Sequence, residues 1–482
     1  MPSLPLLDSF VAGTRRKSDG SATLPSLNPS NPADVVALVP EGSPSDVVAA
    51  VSAAAEAGRG WRLLPGPARA EHLYRWAEAI VRQAEELAQA MAREVGKPIT
   101  EARGEAARGV AILRYYAGEA VREAGSVIPS QIPETLQLTL REPLGVVGLI
   151  TPWNFPVAIP LWKAAPALAF GNTVVLKAAE ASSYVASLLS ETAAAALPPG
   201  VFNVVLGLGP IVGEALVSHP LVRGVSFTGS AKVGARVAEI SARRNVRYQT
   251  EMGGKNAALV LADADLPRAG AMTIAGAMRF AGQKCTATSR VIVARKIFDE
   301  FVGLLASQAA ALPVGPVTDP AAAVGPLISE DSRTRVAHLL SGSPCRLHSG
   351  GGAPKDPRFS AGWFFSPTVL SDVDPGSPLR TEELFAPVLV AIPAEDLEEA
   401  LAIANDTPYG LSASLFTRDV KSALTYVRRI EAGLVRINGD TTGVDPHAPF
   451  GGMKGSSSGS REQGSAAREF YTEIKTVQIS GG

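Results

Sequence analysis

Short β-rich runs and helical runs take turns through the middle of this chain of 482 residues, and that alternation constrains the fold more than any other feature. The β-rich runs are residues 146–150, 173–176, 202–206 and 225–227, separated by segments such as 182–196 and 211–217. Strands buried on both faces read as unbroken apolar runs, and joining them through helices demands a parallel sheet with crossovers. The expectation is an α/β protein with a doubly wound, dinucleotide-type domain. A similar alternation resumes after Glu251, with strands over 258–261 and 291–294 and helices over 269–280 and 298–311. It predicts a second α/β domain, entered at Met252-Gly253-Gly254.

Ahead of the first sheet the pattern is helical. Ser43-Pro44-Ser45-Asp46 is a helix start, with a capping hydroxyl, a proline in the first turn and an acid at the positive helix end. That helix is expected to end near Gly58. A second follows Pro67, with Leu73, Trp76, Ile80, Leu87 and Met91 on one stripe, and stops at Gly96-Lys97-Pro98. A third occupies roughly 100–123. Between Leu136 and Leu140 apolar residues alternate with Gln137 and Thr139, the period of a strand with one wet face. The expected division is a cofactor domain over 1–122 and 144–252, a catalytic domain over 253–435, and a bridging element over 123–143 and 460–482. The segment 451–464, rich in Gly and Ser, reads by composition alone as a flexible linker.

Basic and acidic residues number 45 and 46, a balance that leaves no field for nucleic acid or a membrane surface. No apolar run approaches the length of a membrane span, and no basic segment leads into an apolar one at the N-terminus. Only two cysteines, Cys285 and Cys345, are present, which suggests a reducing, cytoplasmic setting. The composition points to a soluble protein with a small-molecule task and no metal site.

Cys285 stands in Gly282-Gln283-Lys284-Cys285-Thr286, a small-residue loop between a helical and a β-branched run. An unperturbed thiol is only a few per cent thiolate at neutral pH, so reaction would need help, and a buried inert cysteine is the ordinary alternative. Lys284 is adjacent, although neighbours in sequence often point apart. Cys345 has no such company and reads as structural. In Phe227-Thr228-Gly229-Ser230 a strand ends in a glycine turn and a helix begins, which suits a phosphate but recurs in α/β proteins generally. Lys177 and Glu180 follow a strand where ligands gather; the carboxylate can accept ribose hydroxyls, or the two form a surface ion pair. Glu251 precedes two glycines at the proposed junction, as a general base with raised pKa or as a solvated acid. Asn154 lies in an irregular segment after a strand, as an oxyanion donor or as a turn residue.

Together, Pro152-Trp153-Asn154-Phe155-Pro156, Phe227-Thr228-Gly229-Ser230, Glu251-Met252-Gly253-Gly254-Lys255-Asn256, Gly282-Gln283-Lys284-Cys285, Glu382-Glu383-Leu384-Phe385-Ala386-Pro387 and Pro449-Phe450-Gly451-Gly452-Met453-Lys454 resemble the aldehyde dehydrogenase superfamily over almost the whole chain. The resemblance implies a Rossmann-like cofactor domain, a second α/β catalytic domain and a small β oligomerisation element. It implies NAD or NADP as cofactor, an aldehyde as substrate and a homodimer or homotetramer. Cys285 would be the nucleophile, Asn154 with the Cys285 amide the oxyanion site, and Glu251 the base. Lys163 and Glu462 match positions linked with proton traffic or site support, which makes a floppy linker around Glu462 unexpected. Lys177 and Glu180 would meet the adenosine ribose, Ser230 and its helix the pyrophosphate, and Gly209 the adenine. Glu383 would meet the nicotinamide ribose and Phe385 the ring, with Ile150, Trp153, Gly213, Phe227 and Gly253 completing the cofactor set. Three departures stand out: Met252 replaces a usual leucine, Ala386 a usual glycine, and Lys177-Ala178-Ala179-Glu180 lacks the usual proline.

Arg279, six residues before Cys285, matches a position where succinate-semialdehyde dehydrogenases bind a distal carboxylate; an arginine reaching solvent is the alternative. Phe155, Ile159, Trp162 and Phe450 would line the rest of the pocket. The stretch from Arg436 to Gly464 looks most like the 2-oxoglutarate-semialdehyde (2,5-dioxopentanoate) branch. The expected reaction is oxidation of a semialdehyde with a distal carboxylate to the acid. The alternatives are neutral aliphatic or aromatic aldehydes, an acylating enzyme that hands its product to coenzyme A, and a silent binding protein of the same fold. Strands over 136–140 and 471–479 are expected to offer edges for self-association.

Overall fold

The computed structural model describes residues 4–20 and 22–481. Helix α1 (Pro44–Trp61) lies against the strands of the first sheet, while α2 (Gly66–Arg82), α3 (Ala84–Val95) and α4 (Ile99–Glu119) pack on one another. Ser43 opens α1 with a reciprocal cap: its hydroxyl accepts the Asp46 amide at 3.3 Å, and Asp46 accepts the Ser43 amide at 2.9 Å. The single helix expected between Pro67 and Gly96 is two, because Gln83 leaves helical geometry (φ −110°, ψ 13°). The apolar stripe survives the break, since Leu73 and Trp76 before it and Leu87 and Met91 after it are all fully buried. Gly96 ends α3 in the left-handed region at φ 68°, and a Cβ there would come within 2.7 Å of Pro326.

Beyond these helices the chain builds two large sheets. In the first, strands Phe202–Val205, Thr173–Lys177, Val146–Ile150, Val222–Thr228 and Arg247–Glu251 run parallel in that order. Ser9–Val11 and Ser457–Ser458 flank these parallel strands antiparallel, and Thr14–Arg16 pairs outside Ser9–Val11 as the edge on that side. Helices α5 (Ala158–Ala169), α6 (Ser183–Ala194), α7 (Glu214–Ser218) and α8 (Ala231–Arg243) supply the crossovers. The N-terminal strands and α5 were not legible in the sequence pattern. All of α5 is buried, so it carries no wet face to give it a period.

The second sheet orders Thr368–Ser371, Val388–Ala394, Arg290–Ala294, Ala257–Val260, Ser412–Phe416 and Leu434–Ile437 in parallel, with Arg346–Ser349 antiparallel at one edge. Helices α9 (Leu266–Met278) and α10 (Phe298–Ala310) cover it. The strand expected over 136–140 is Thr135–Pro143, and it pairs antiparallel with Thr472–Ser480 along its whole length. The two edges expected to invite a partner thus satisfy each other, leaving the far side of Thr472–Ser480 open, while the short Val127–Ile128 pairs only with Gln137 and Leu138 on the opposite side of Thr135–Pro143. Among the described residues, no helix is long and apolar enough to cross a membrane.

Candidate active site

The parallel strands of the first sheet end at a cleft of about 470 Å³ that runs to the loop carrying Cys285. Ile150, Trp153, Lys177, Glu180, Gly209, Phe227, Ser230, Gly253, Glu383 and Phe385 line it, together with Asn154, Ile159 and Cys285. Gly213 stands apart, buried in the turn Gly209–Gly213 behind the wall. Ser230 caps α8, accepting the Val233 amide at 3.4 Å, and leaves the first turn of that helix facing the cleft. Gly234 lets Met252 press onto the helix: a Cβ there would meet its sulfur at 2.5 Å. Glu180 accepts Lys177 Nζ at 2.9 Å and the Gly209 amide at 2.7 Å. Burial raises its pKa, but Lys177 and these bonds outweigh burial and hold it below the usual carboxylate value.

The hydroxyls of Thr151 and Thr228 line the same cleft, buried and without a partner. Polar atoms left so are expected to meet a ligand. Glu383 accepts the Gly254 amide at 3.2 Å, and burial pushes its pKa up to about 7. Phe385 takes a left-handed φ of 54° and stands edge-on to Trp153, with ring centroids 5.7 Å apart. Ala386 is not among the positive-φ residues, so its replacement of glycine brings no backbone strain. A dinucleotide therefore suits the residues present: an anion-accepting helix start, a ribose-type carboxylate and a cleft with unpaired hydroxyls.

The Cys285 loop is reached through three successive residues with positive φ: Phe280 (52°), Ala281 (51°) and Gly282 (67°). Each non-glycine residue held this way costs roughly 1–2 kcal/mol. Packing holds them there. The Phe280 ring is fully buried under Lys97 Nζ, 4.5 Å from its centroid, and a Cβ on Gly282 would strike the Ala386 carbonyl at 2.4 Å. Gln283 ties the loop down by accepting the Ile328 amide (2.9 Å) and donating to the Pro326 carbonyl (3.1 Å). Asn256 Nδ2 donates to the carbonyls of Cys285 (2.8 Å) and Ala287 (2.9 Å), and Thr441 donates to that of Thr286 (2.7 Å). The loop backbone around Cys285 is clamped on both sides.

Cys285 is partly exposed towards the cleft, yet protein packs closely round the sulfur. Burial first, then the negative charges of Glu383 and Glu251, push its pKa up to about 12, against the pull of the Thr286 and Cys285 amides. The resting group is a thiol. Lys284 does not assist it; its ammonium pairs with Glu101 at 2.9 Å, on the other side of the loop. Asn154 is buried and donates from Nδ2 to the Gln283 carbonyl at 2.9 Å, which aims the amide at the loop.

Glu251 is buried at the end of its strand. Its Oε2 accepts the Ser457 hydroxyl at 2.5 Å, and its Oε1 has no partner. Burial, then the charge of Glu462, raises its pKa well above the carboxylate value. Beside it Lys163 Nζ donates to Ser226 Oγ at 2.8 Å and to Glu462, and Ser226 donates to Glu462 at 2.9 Å. Glu462 is also bridged backbone to backbone with Phe450, which stacks on Trp162 at 5.3 Å. The Gly-Ser segment is therefore an ordered wall of the site, and the linker reading from composition fails because Ser457 and Glu462 are held by buried partners.

Arg279 ends α9 exposed, with no ion pair among the described residues. Phe155 lies under Lys97 Nζ, 3.9 Å from its centroid. That lysine and its partner Glu105 were missed in the sequence, where Gly96-Lys97-Pro98 reads only as a helix stop. Glu105 accepts the amides of Val157 (2.9 Å) and Ala158 (3.0 Å), so the pair joins the Asn154 segment to the turn before Cys285. The signal available was an acid on the buried stripe of α4, between Ala102 and Ala106.

A dinucleotide cleft abutting a clamped thiol defines the class: a two-domain α/β oxidoreductase. A family model described as "Aldehyde dehydrogenase family" matches residues 16–477. The α-ketoglutaric semialdehyde dehydrogenase of Bacillus subtilis is 44% identical over 475 residues, covering 98% of this chain and 97% of the relative. The α-ketoglutarate semialdehyde dehydrogenase of Haloferax volcanii is 42% identical, covering 98% of each. Betaine aldehyde dehydrogenase from Staphylococcus aureus, solved in complex with NAD+, superimposes with a TM-score of 0.93 at 31% identity, over 98% of this chain and 94% of that one. The chain belongs to the aldehyde dehydrogenase family and is an NAD(P)-dependent aldehyde dehydrogenase.

Proposed function

We propose that the protein oxidises an aldehyde bearing a distal carboxylate, of the 2,5-dioxopentanoate or succinate-semialdehyde type, to the corresponding acid. The observation that carries the chemistry is the clamped Cys285 thiol at the cleft, with Asn154 against its loop and Glu251 buried close by. Its sulfur adds to the aldehyde carbon, and the thiol proton passes to ionised Glu251. The new oxyanion is held by Asn154 Nδ2 and the Cys285 amide, donors already fixed in place. Bound NAD or NADP supplies the acceptor for the hydride that leaves the thiohemiacetal carbon. Once Glu251 has released the thiol's proton to solvent, it takes another from the water that attacks the thioester; the acid departs and the Cys285 thiolate takes a proton back from Glu251.

Lys177 and Glu180 hold the adenosine ribose, Ser230 and the start of α8 the pyrophosphate, and Gly209 flanks the adenine. Glu383 and Phe385 place the nicotinamide end. Lys163 and Glu462 support the Glu251 carboxylate, and Ile159, Phe155, Trp162 and Phe450 surround the aldehyde. The names of the B. subtilis and H. volcanii relatives support the semialdehyde reading. A cytoplasmic homodimer or homotetramer fits the open edge of Thr472–Ser480, where Ile474 and Ile479 are 60% and 55% exposed.

A panel of acidic and neutral aldehydes, run with each cofactor and compared by kcat/KM, tests this reading. Acidic semialdehydes should lead, with free acid rather than acyl-coenzyme A as product. Equal use of neutral aldehydes of the same length would remove the carboxylate from the proposal.

A further inference from the structure

A second arginine, overlooked in the sequence, lies deeper than Arg279. Arg108 sits on α4 one turn beyond Glu105, within a stripe where Ala102, Ala106, Val110 and Leu113 are buried. The residue is half-buried, and its charge is felt at Cys285. One Nη2 hydrogen is given to the Val444 carbonyl, which fixes the fork against the loop ahead of Phe450. Its Nε–H is buried and has no acceptor.

Among the described residues no carboxylate forms an ion pair with this group, although the charges of Glu105 and Asp445 reach it. Glu105 spends its oxygens on Lys97, Val157 and Ala158. Asp445 is near enough to be felt but forms no ion pair with it among the described residues. A buried guanidinium N–H without an acceptor is costly, and the ordinary remedy is a bidentate carboxylate. Since the chain does not supply one, a ligand is the remaining source, and an aldehyde whose carbon meets Cys285 would bring its far end to this side.

We propose that Arg108 is the specificity-determining residue that binds the distal carboxylate of the substrate through Nε and a free Nη hydrogen. The inference rests on the carboxylate-bearing aldehyde proposed above. Arg279, exposed at the end of α9, stands outside this contact.

The test measures kcat/KM for succinate semialdehyde and 2,5-dioxopentanoate against butanal and pentanal, in the intact protein and in Arg108→Met. The acidic-to-neutral ratio should fall roughly 10- to 100-fold in the variant, the span of a charge-assisted hydrogen bond, and mostly through KM. General damage to the site would lower both substrates alike and leave the ratio standing, which overturns the proposal. So would a ratio that collapses in Arg279→Ala and survives in Arg108→Met. Arg108→Lys, which keeps the charge and loses the fork, should fall between the two and serves if the methionine variant does not fold. A ratio near one in the unaltered protein would overturn the carboxylate reading itself, whereas a high ratio untouched at position 108 overturns the role of Arg108 alone.

Discussion

Two lysine–glutamate pairs are fully buried in this molecule, Lys97–Glu105 and Lys163–Glu462, and they are buried for different ends. Around Glu105 every acceptor is used: one oxygen takes Lys97, the other two backbone amides, and Lys97 also lies over the rings of Phe155 and Phe280. Around Glu462 acceptors are left over. Its Oε1 receives Lys163, Ser226 and Gln249, while its Oε2 and the neighbouring Glu251 Oε1 have no partner. A saturated pair has nothing further to bind and serves as a rivet. An unsaturated pair beside a carboxylate of raised pKa has room for a water or a proton, which is what the proposed chemistry asks of it.

The sharpest way to break this contrast is Glu105→Ala. It strands the Lys97 ammonium in the core, and stability should fall by about 3–5 kcal/mol in denaturant titrations. Removing both charges is gentler. Lys97→Met with Glu105→Gln should recover about half of that loss, and a double variant as unstable as the single would refute the rivet. At the second pair the order of effects reverses: Glu462→Gln should cost only about 1 kcal/mol of stability, because glutamine still accepts from Lys163. Its kcat should drop about tenfold, equivalent to ~1.4 kcal/mol in the barrier. Equal losses of stability and rate at both sites would erase the distinction.

The smallest effect is in pH. As the proposed base, Glu251 would act ionised, so activity should rise as pH climbs through its pKa, and burial with Glu462 places that rise above the ordinary carboxylate range. Glu462→Gln removes the second cause, so the acid limb of kcat against pH should move to lower pH. A limb that stays in place would separate Glu462 from the base. Glu251→Gln should abolish the limb together with turnover of the thioester.

Much of this was legible beforehand, and the boundary is physical. Buried parallel strands announce themselves as short apolar runs, so Val146–Ile150 and Ala257–Val260 emerge nearly as predicted. The residues around Cys285, Glu251 and Asn154 stood out because the motif set as a whole resembles one family, while each of them alone had an ordinary structural reading. Hidden were the facts that depend on side-chain direction. Lys284 could face the thiol or Glu101, and only the turn at Phe280 and Ala281 decides; two non-glycine residues in left-handed geometry leave no trace in composition. Arg108 carries the same lesson, because an arginine on a helix usually reaches water and its direction here is set by the Val444 loop.

The antiparallel closure of the first sheet by Ser457–Ser458 governs how the protein comes into being on the ribosome. Arg247–Glu251, which it covers, is made about two hundred residues earlier, roughly 10–40 s at about 5–20 residues per second. Through that interval the growing chain holds an open strand edge and a Lys163 whose partner has not yet been translated. A nascent chain halted before Ser457 could form its nucleotide-facing strands without sealing them, so such truncated products should be clients for chaperones.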